Sequence, residues 1–146
     1  MSTPFRLLVP REILEQMVSQ ARAELPNECC GLLAGRIEDG ANGEKIGRVV
    51  CRYPLANAAQ SPTRYLSEPQ SMFAAMRDQW NRGLEVLAVY HSHPTSEPMP
   101  SRTDLEQNYG EGVVNFIISL ITEVPQVKGW WLSAHGFETA EWDVVD

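Results

Sequence analysis

The chain has 146 residues, which suits a domain able to bury a core without disulfide staples. Hydrophobic residues make up 43% and charged residues 21%, ordinary values for a water-soluble fold, and the formal net charge is −7. The acidic balance argues against a general nucleic-acid binder, and the longest apolar runs, such as "VVNFIISLI", fall far short of the roughly 20 residues that span a bilayer.

The opening "MSTPFRLLVP" has no charged segment followed by a long apolar run, so no secretory signal is expected. Three cysteines, two of them adjacent, make no disulfide framework, and the cytoplasm is the expected compartment. With no repeat, linker or low-complexity segment, residues 1–146 are expected to form one domain.

"FRLLV" predicts a first strand. Pro10 opens a helix to about Glu24, where Ile13, Leu14, Met17, Val18 and Ala21 form one apolar stripe. "LPNE" stops it. "CCGLLAGRI" predicts a buried strand, "EDGANGEK" a hairpin turn, and "IGRVVCRYPL" the returning strand. Ser67 is expected to cap a second helix with Pro69 in its first turn, an apolar side made of Met72, Phe73, Met76 and Trp80, and Gly83 as its stop. "LEVLAVYHSH" predicts a strand buried on both faces. A short helix near Ser101 or Thr103, strands at "VVNFIISLI" and "VKGWWLS", and a last strand at "TAEWDVV" complete the chain. Strands and helices interleave, so the fold class is α/β or α+β, a sheet with helices on it.

Two of the three histidines, His91 and His93, stand one residue apart at the end of that buried strand. Residues two apart on a strand point the same way, so both imidazoles share a face, with Cα atoms roughly 7 Å apart. Ser92 points to the other face. Pro94 ends the strand, a proline-rich loop returns, and Asp104 arrives on the first turn of a helix as a third ligand. Two histidines, one carboxylate and an open position describe a catalytic zinc site better than a structural one. Ser101-x-x-Asp104 also reads as a capping box, with Thr103-x-x-Glu106 competing, and a cap does not exclude ligation. Glu28 in "PNECCGLLAG" is the candidate general base, a carboxylate set directly before a buried strand; a solvated residue at that place is the plainer alternative.

Taken together, "NECCGLLAG" and "HSHPTSEPMPSRTD" resemble the JAMM motif, E…H-S/T-H-x7-S-x-x-D, of the JAMM or MPN-plus metalloproteases, with every motif position filled. The resemblance implies a curved, mixed sheet sandwiched by helices and related to the cytidine-deaminase architecture. It implies zinc on His91, His93 and Asp104, Glu28 as acid/base, and Ser101 steadying the tetrahedral intermediate. It also implies cleavage of peptide or isopeptide bonds after the C-terminal glycines of ubiquitin-like proteins. The segments flanking the motif are short, which points to prokaryotic members that trim sulfur carriers. An extended Gly-Gly tail is expected to be held by adding a strand to an exposed sheet edge. A non-catalytic MPN-type scaffold and a zinc hydrolase of a small amide are the competing readings.

Three further residues invite functional readings. By alternation Cys30 shares a face with Glu28, so its thiol is a candidate neighbour of the zinc, against the plainer reading of a small buried hydrophobe. Trp130 and Trp131 point to opposite faces of their strand, so either core packing or a docking or homodimer surface would account for them. His135 falls in a turn and is expected to be solvated.

Overall fold

The structure is a computed structural model that describes residues 4–108 and 110–146; the first three residues of the opening segment lie outside it. Eleven elements follow one another: β1 (Arg6–Pro10), α1 (Arg11–Ala23), β2 (Cys30–Asp39), β3 (Lys45–Leu55), α2 (Pro69–Asn81), β4 (Glu85–His93), α3 (Arg102–Glu106), β5 (Val114–Ser119), β6 (Gln126–Ser133), β7 (Gly136–Thr139) and β8 (Trp142–Val145), with a 3-10 turn at Ala41–Gly43. The eight strands form one sheet in the order β7-β6-β5-β4-β2-β3-β1-β8. It is mixed. β1 pairs parallel with β3 and β8, and β4 parallel with β5, while the other neighbours are antiparallel. Register shifts near Ala34 on both sides of β2 add the bulges that bend such a sheet.

Successive residues of β2 enter different cores, and this sets the layers. Leu33 joins Met17 and Ala21 of α1 with Leu7, Val9, Tyr90 and Phe116. Leu32 joins Ala75 of α2 with Cys30, Leu55 and Val89. The helices therefore cover opposite faces, as the resemblance implies. Leu105 of α3 rests on Ile117, Trp130 and Leu132, on the face that also carries His91.

Three expectations need correction. The cap of α2 is Glu68, whose carboxylate accepts hydrogen bonds from the amides of Gln70 and Ser71 at 2.8 and 2.7 Å, and not Ser67. The apolar side of α2 is seated on the sheet only at one margin: Met72 packs with Leu32 and Val89 beside the buried Ala75 and Gln79, while Phe73 and Trp80 are exposed. The chain's end contains two strands, because the turn after Ser133 closes a β6–β7 hairpin before β8 begins. Each of the last two strands has four residues, too few for a period to register. Trp130 and Trp131 are both buried, so neither forms a docking or dimer surface.

Gly31 shows how tightly β2 and β4 are matched. It pairs with Tyr90, whose ring lies so close that a Cβ on residue 31 would stand 2.2 Å from it. The ring has no room to retreat, because its hydroxyl is bonded to Gln20 and Arg52. Gly31→Ala is expected to cost about 1–3 kcal/mol or more by overpacking. Thermal unfolding checks this: a Tm several degrees lower is expected, and an unchanged Tm would mean the ring is not confined.

Candidate metal centre

The site forms where β4 and β5 end side by side. His91 and His93 are the seventh and ninth residues of β4 and project to the same face, as alternation requires. Ser92, on the opposite face, ties β4 to the start of β2: its hydroxyl accepts from the Cys29 amide at 2.8 Å, and its own amide donates to the Cys29 carbonyl at 3.1 Å. That pairing brings Glu28 beside the histidines.

Three donor atoms converge. His91 Nε2 lies 3.1 Å from His93 Nε2, His91 Nε2 lies 3.0 Å from Asp104 Oδ1, and His93 Nε2 lies 3.1 Å from Asp104 Oδ2. A tetrahedral ion with bonds of about 2.0–2.1 Å has ligand–ligand edges of about 3.3 Å, so the donors already stand nearly at ligand spacing. All three residues are buried. The donor set, two imidazoles and a carboxylate, is one that zinc favours at catalytic centres. His91, His93 and Asp104 thus form a group that could hold a metal ion.

The surroundings fix these donors. The Glu97 carbonyl can only accept, so His93 Nδ1, 2.7 Å away, carries a proton and leaves a lone pair on Nε2 of the neutral ring. The loop bearing Glu97 is itself pinned, since Ser119 Oγ donates to the Ser96 carbonyl at 2.6 Å and Trp130 Nε1 to the Pro98 carbonyl at 3.0 Å. Asp104 sits at the third position of α3, where the capping box is complete: Ser101 Oγ accepts from the Asp104 amide at 3.0 Å, and Asp104 Oδ2 accepts from the Ser101 amide at 2.9 Å. A hydroxyl that accepts in this way keeps its own proton free to donate.

Burial and charge act in opposite directions on the titrating groups. Burial pushes Glu28 up to about 8, with the positive charge of His93 opposing and the negative charge of Asp104 adding to the rise. Glu28 is 3% exposed and its Oε1 has no hydrogen-bond partner, a buried carboxylate oxygen held for something other than packing. For Asp104, burial favours the neutral form, yet the adjacent His91 and His93 rings and the Ser101 amide hold its carboxyl well below the usual range. Burial lowers His91; for His93 the same penalty is outweighed by Asp104 and the Glu97 carbonyl, and its pKa rises. Burial pushes both Cys29 and Cys30 thiols up to about 12. Cys30 Sγ faces the carbonyls of Leu55 and Ala56 at 3.9 Å, so it reads as a buried small side chain.

Two contributors have no signature in the sequence. Tyr65 stacks on the His91 ring with centroids 4.8 Å apart. Asn57 donates to the Glu28 and Arg64 carbonyls and accepts from the amides of Ala59 and Leu66, fixing the segment that carries Tyr65. Both lie between β3 and α2 in a stretch with neither period nor motif. Beside them a groove of about 270 Å³, lined by residues that include Cys30, Leu55, Tyr65, Leu66, Met72 and Gln107, runs along the α2 face. A larger hollow of about 600 Å³, near Glu111, Trp131 and His135, lies at the opposite end of β5 and β6. It is remote from the converging donors, which mark the chemistry better than volume does.

Comparison with known proteins agrees with this geometry. Residues 10–133 match the family described as prokaryotic homologs of the JAB domain. The chain is 38% identical over 102 residues to a probable TtuB-protein conjugate cleaving protease of Thermus thermophilus, a match spanning 69% of this chain and 62% of that protein. It is 32% identical over 104 residues to the CysO-cysteine peptidase of Mycobacterium tuberculosis, spanning 71% of this chain and 66% of that one. Each match takes in less than two thirds of the relative's own length. A desampylase of Haloferax volcanii is 30% identical over 122 residues, 80% of this chain and 83% of that protein. A solution structure from Desulfitobacterium hafniense superposes with a TM-score of 0.83 at 30% identity, covering 96% of this chain and 93% of that one. A JAB1/MPN domain protein from Archaeoglobus fulgidus shares the fold at a TM-score of 0.55 and 20% identity, over 97% of this chain and 100% of that one. With most of its length matched and each motif residue at or beside the converging donors, the chain belongs to the prokaryotic JAB domain family.

Proposed function

We propose that the chain is a zinc-dependent peptidase of JAMM type, hydrolysing the peptide or isopeptide bond after the C-terminal Gly-Gly of a ubiquitin-like sulfur carrier. The observation that carries it is the buried convergence of His91, His93 and Asp104 beside Glu28, whose Oε1 is buried without a hydrogen-bond partner. The names of the relatives support the substrate class: a probable TtuB-protein conjugate cleaving protease, a CysO-cysteine peptidase and a desampylase. A sheet that takes in strands from near both ends supports reading the chain as one domain. The free cysteines support a reducing, cytoplasmic setting, and no described helix is long and apolar enough to cross a membrane.

His91, His93 and Asp104 would hold the zinc. Bound there, zinc supplies a Lewis acid and lowers the pKa of water toward 7. Glu28 accepts the proton of the attacking water and passes it to the departing amine. A nearby divalent cation favours the ionised carboxylate, which brings Glu28 from its high value toward the range in which a general base works near neutrality. The Ser101 proton, free of the capping bond, donates to the developing oxyanion.

The tail cannot be held in the way the sequence suggests. β4 is flanked by β2 and β5, and the edges of the sheet are β7 and β8, so no free strand edge borders the site. Backbone in 57–67, which is outside the sheet and carries an isolated bridge at Asn57 and Ser67 with single hydrogen bonds such as the Ala58 amide to the Leu66 carbonyl and the Glu28 amide to the Ser61 carbonyl, is the nearer partner for an extended tail.

Protein purified without added metal is expected to carry about one zinc per chain, and His93→Ala to lose most of it. Equal zinc in both, by elemental analysis, would remove the centre. Glu28→Gln is expected to keep zinc and fold while losing nearly all hydrolysis; activity within a few-fold of the parent would reject Glu28 as the base. A carrier extended beyond Gly-Gly should show a higher kcat/KM than the same tail as a free peptide, because docking away from the bond helps drive the chemistry. Equal values would favour the small-amide hydrolase, and zinc binding without any cleavage would favour the scaffold.

A further inference from the structure

The two histidines of the centre are held by different forces. His93 is anchored from behind, because its Nδ1 faces the Glu97 carbonyl at 2.7 Å. His91 is 2% exposed, yet its Nδ1 has no hydrogen-bond partner among the described residues. A ligating imidazole almost always gives its outer N–H to an acceptor, which fixes the tautomer and the direction of the ring. When His91 ligates through Nε2, its remaining proton stands on Nδ1 with nothing to receive it. In the metal-free protein the proton sits better on Nε2, where Asp104 Oδ1 accepts at 3.0 Å. Left to its hydrogen bonds, His91 therefore favours the tautomer that cannot bind a metal.

A ring contact stands in for the missing bond. The Tyr65 ring lies 4.8 Å from that of His91, centroid to centroid, with 26° between the planes, whereas the His93 ring is tilted by 57° to it. Such a stack fixes the plane of the imidazole, as an outer acceptor otherwise would. Tyr65 is in turn held from both sides. The Asn57 carboxamide donates to the Glu28 and Arg64 carbonyls at 3.0 and 3.1 Å and accepts from the Ala59 and Leu66 amides, both at 3.0 Å. That uses both N–H donors, and two amides share the oxygen. Arg64 and Leu66 flank Tyr65, so one buried side chain grips the backbone on either side of the stacking residue. The loop between Asn57 and Arg64 is bent against its own preference, since Gln60 has a φ of 44°, in the left-handed region that side chains rarely adopt.

We propose that Tyr65 is the positioning residue of His91, seated by Asn57, and that its stack replaces the outer hydrogen bond the imidazole lacks. The inference rests on reading His91, His93 and Asp104 as metal ligands. Metal affinity at the centre then depends on a loop that contributes no donor atom to it.

Zinc affinity, measured on the full chain by competition with a chromophoric chelator, tests this with Tyr65→Leu, Tyr65→Phe, Asn57→Ala, the Asn57→Ala/Tyr65→Leu pair and Met72→Ala. Met72 lines the same groove as Tyr65 and packs beside Leu32 and Val89, so it reports general loosening. Tyr65→Leu is expected to weaken zinc about tenfold or more, the usual scale for a residue that orients a ligand. Tyr65→Phe should bind zinc within about twofold of the parent, since the ring and not the hydroxyl makes the stack. Asn57→Ala should weaken zinc by itself and add nothing in the Tyr65→Leu background, because it acts through Tyr65. Met72→Ala should lower the Tm of the metal-free protein and leave zinc affinity unchanged. A parent that binds zinc no better than Tyr65→Leu overturns the proposal and leaves the metal centre standing. A Tyr65→Phe as weak as Tyr65→Leu overturns it in favour of the hydroxyl, and a Met72→Ala loss of the same size overturns it in favour of general packing. Additive losses in the double variant overturn the part given to Asn57. A parent that binds no zinc removes both the centre and this inference.

Discussion

Two imidazole nitrogens 3.1 Å apart, each within 3.1 Å of one oxygen of the same carboxylate in a buried place, define this molecule. Taken from water without an ion among them, two imidazoles and a carboxylate meet a desolvation penalty that their mutual hydrogen bonds offset only in part. The fold keeps them converged by fixing each from behind. Glu97 fixes the tautomer of His93, the capping box fixes Asp104, and the Ser92–Cys29 pairing fixes the approach of β2 and hence Glu28. Each of these acts through hydrogen bonds of 2.7–3.0 Å, and a small slip in any of them would separate the donors. The Gly31–Tyr90 contact belongs to the same scheme, since it sets the β2–β4 register one residue before His91.

Behind these contacts stands a second layer. Ser119 and Trp130 hold carbonyls of the loop between β4 and α3, and Asn57 joins the Glu28 carbonyl to the segment that lays Tyr65 on His91. Ser119, Trp130 and Asn57 therefore act on the centre through backbone carbonyls and supply none of its donor atoms. Supporting bonds of this kind commonly matter to metal affinity nearly as much as the ligands themselves.

Much of this was legible in the chain itself. The alternation of His91, Ser92 and His93 specifies which side chains share a face, and the structure places them so. Ser101-x-x-Asp104 specifies a helix start, and the capping box and the candidate third donor prove to share Asp104. Glu28 could not be settled from its neighbours, because carboxylates at strand starts are commonly solvated; its burial comes from β4 and the 57–66 segment, which are distant in sequence. Tyr65 and Asn57 escaped because a loop has no period, and their roles arise from contacts made across the chain. The pattern at Met72, Phe73, Met76 and Trp80 misleads in another way. Helical periodicity reports that apolar residues share a side and not what that side faces, and on α2 it turns from the groove to solvent.

Zinc-edge X-ray absorption on protein purified without added metal tests the central claim most directly. Two imidazole nitrogens and carboxylate or water oxygens at about 2.0–2.1 Å are predicted, with no sulfur in the first shell. A scatterer at about 2.3 Å would put Cys29 or Cys30 on the metal and contradict the assignment of His91, His93 and Asp104 as its protein ligands.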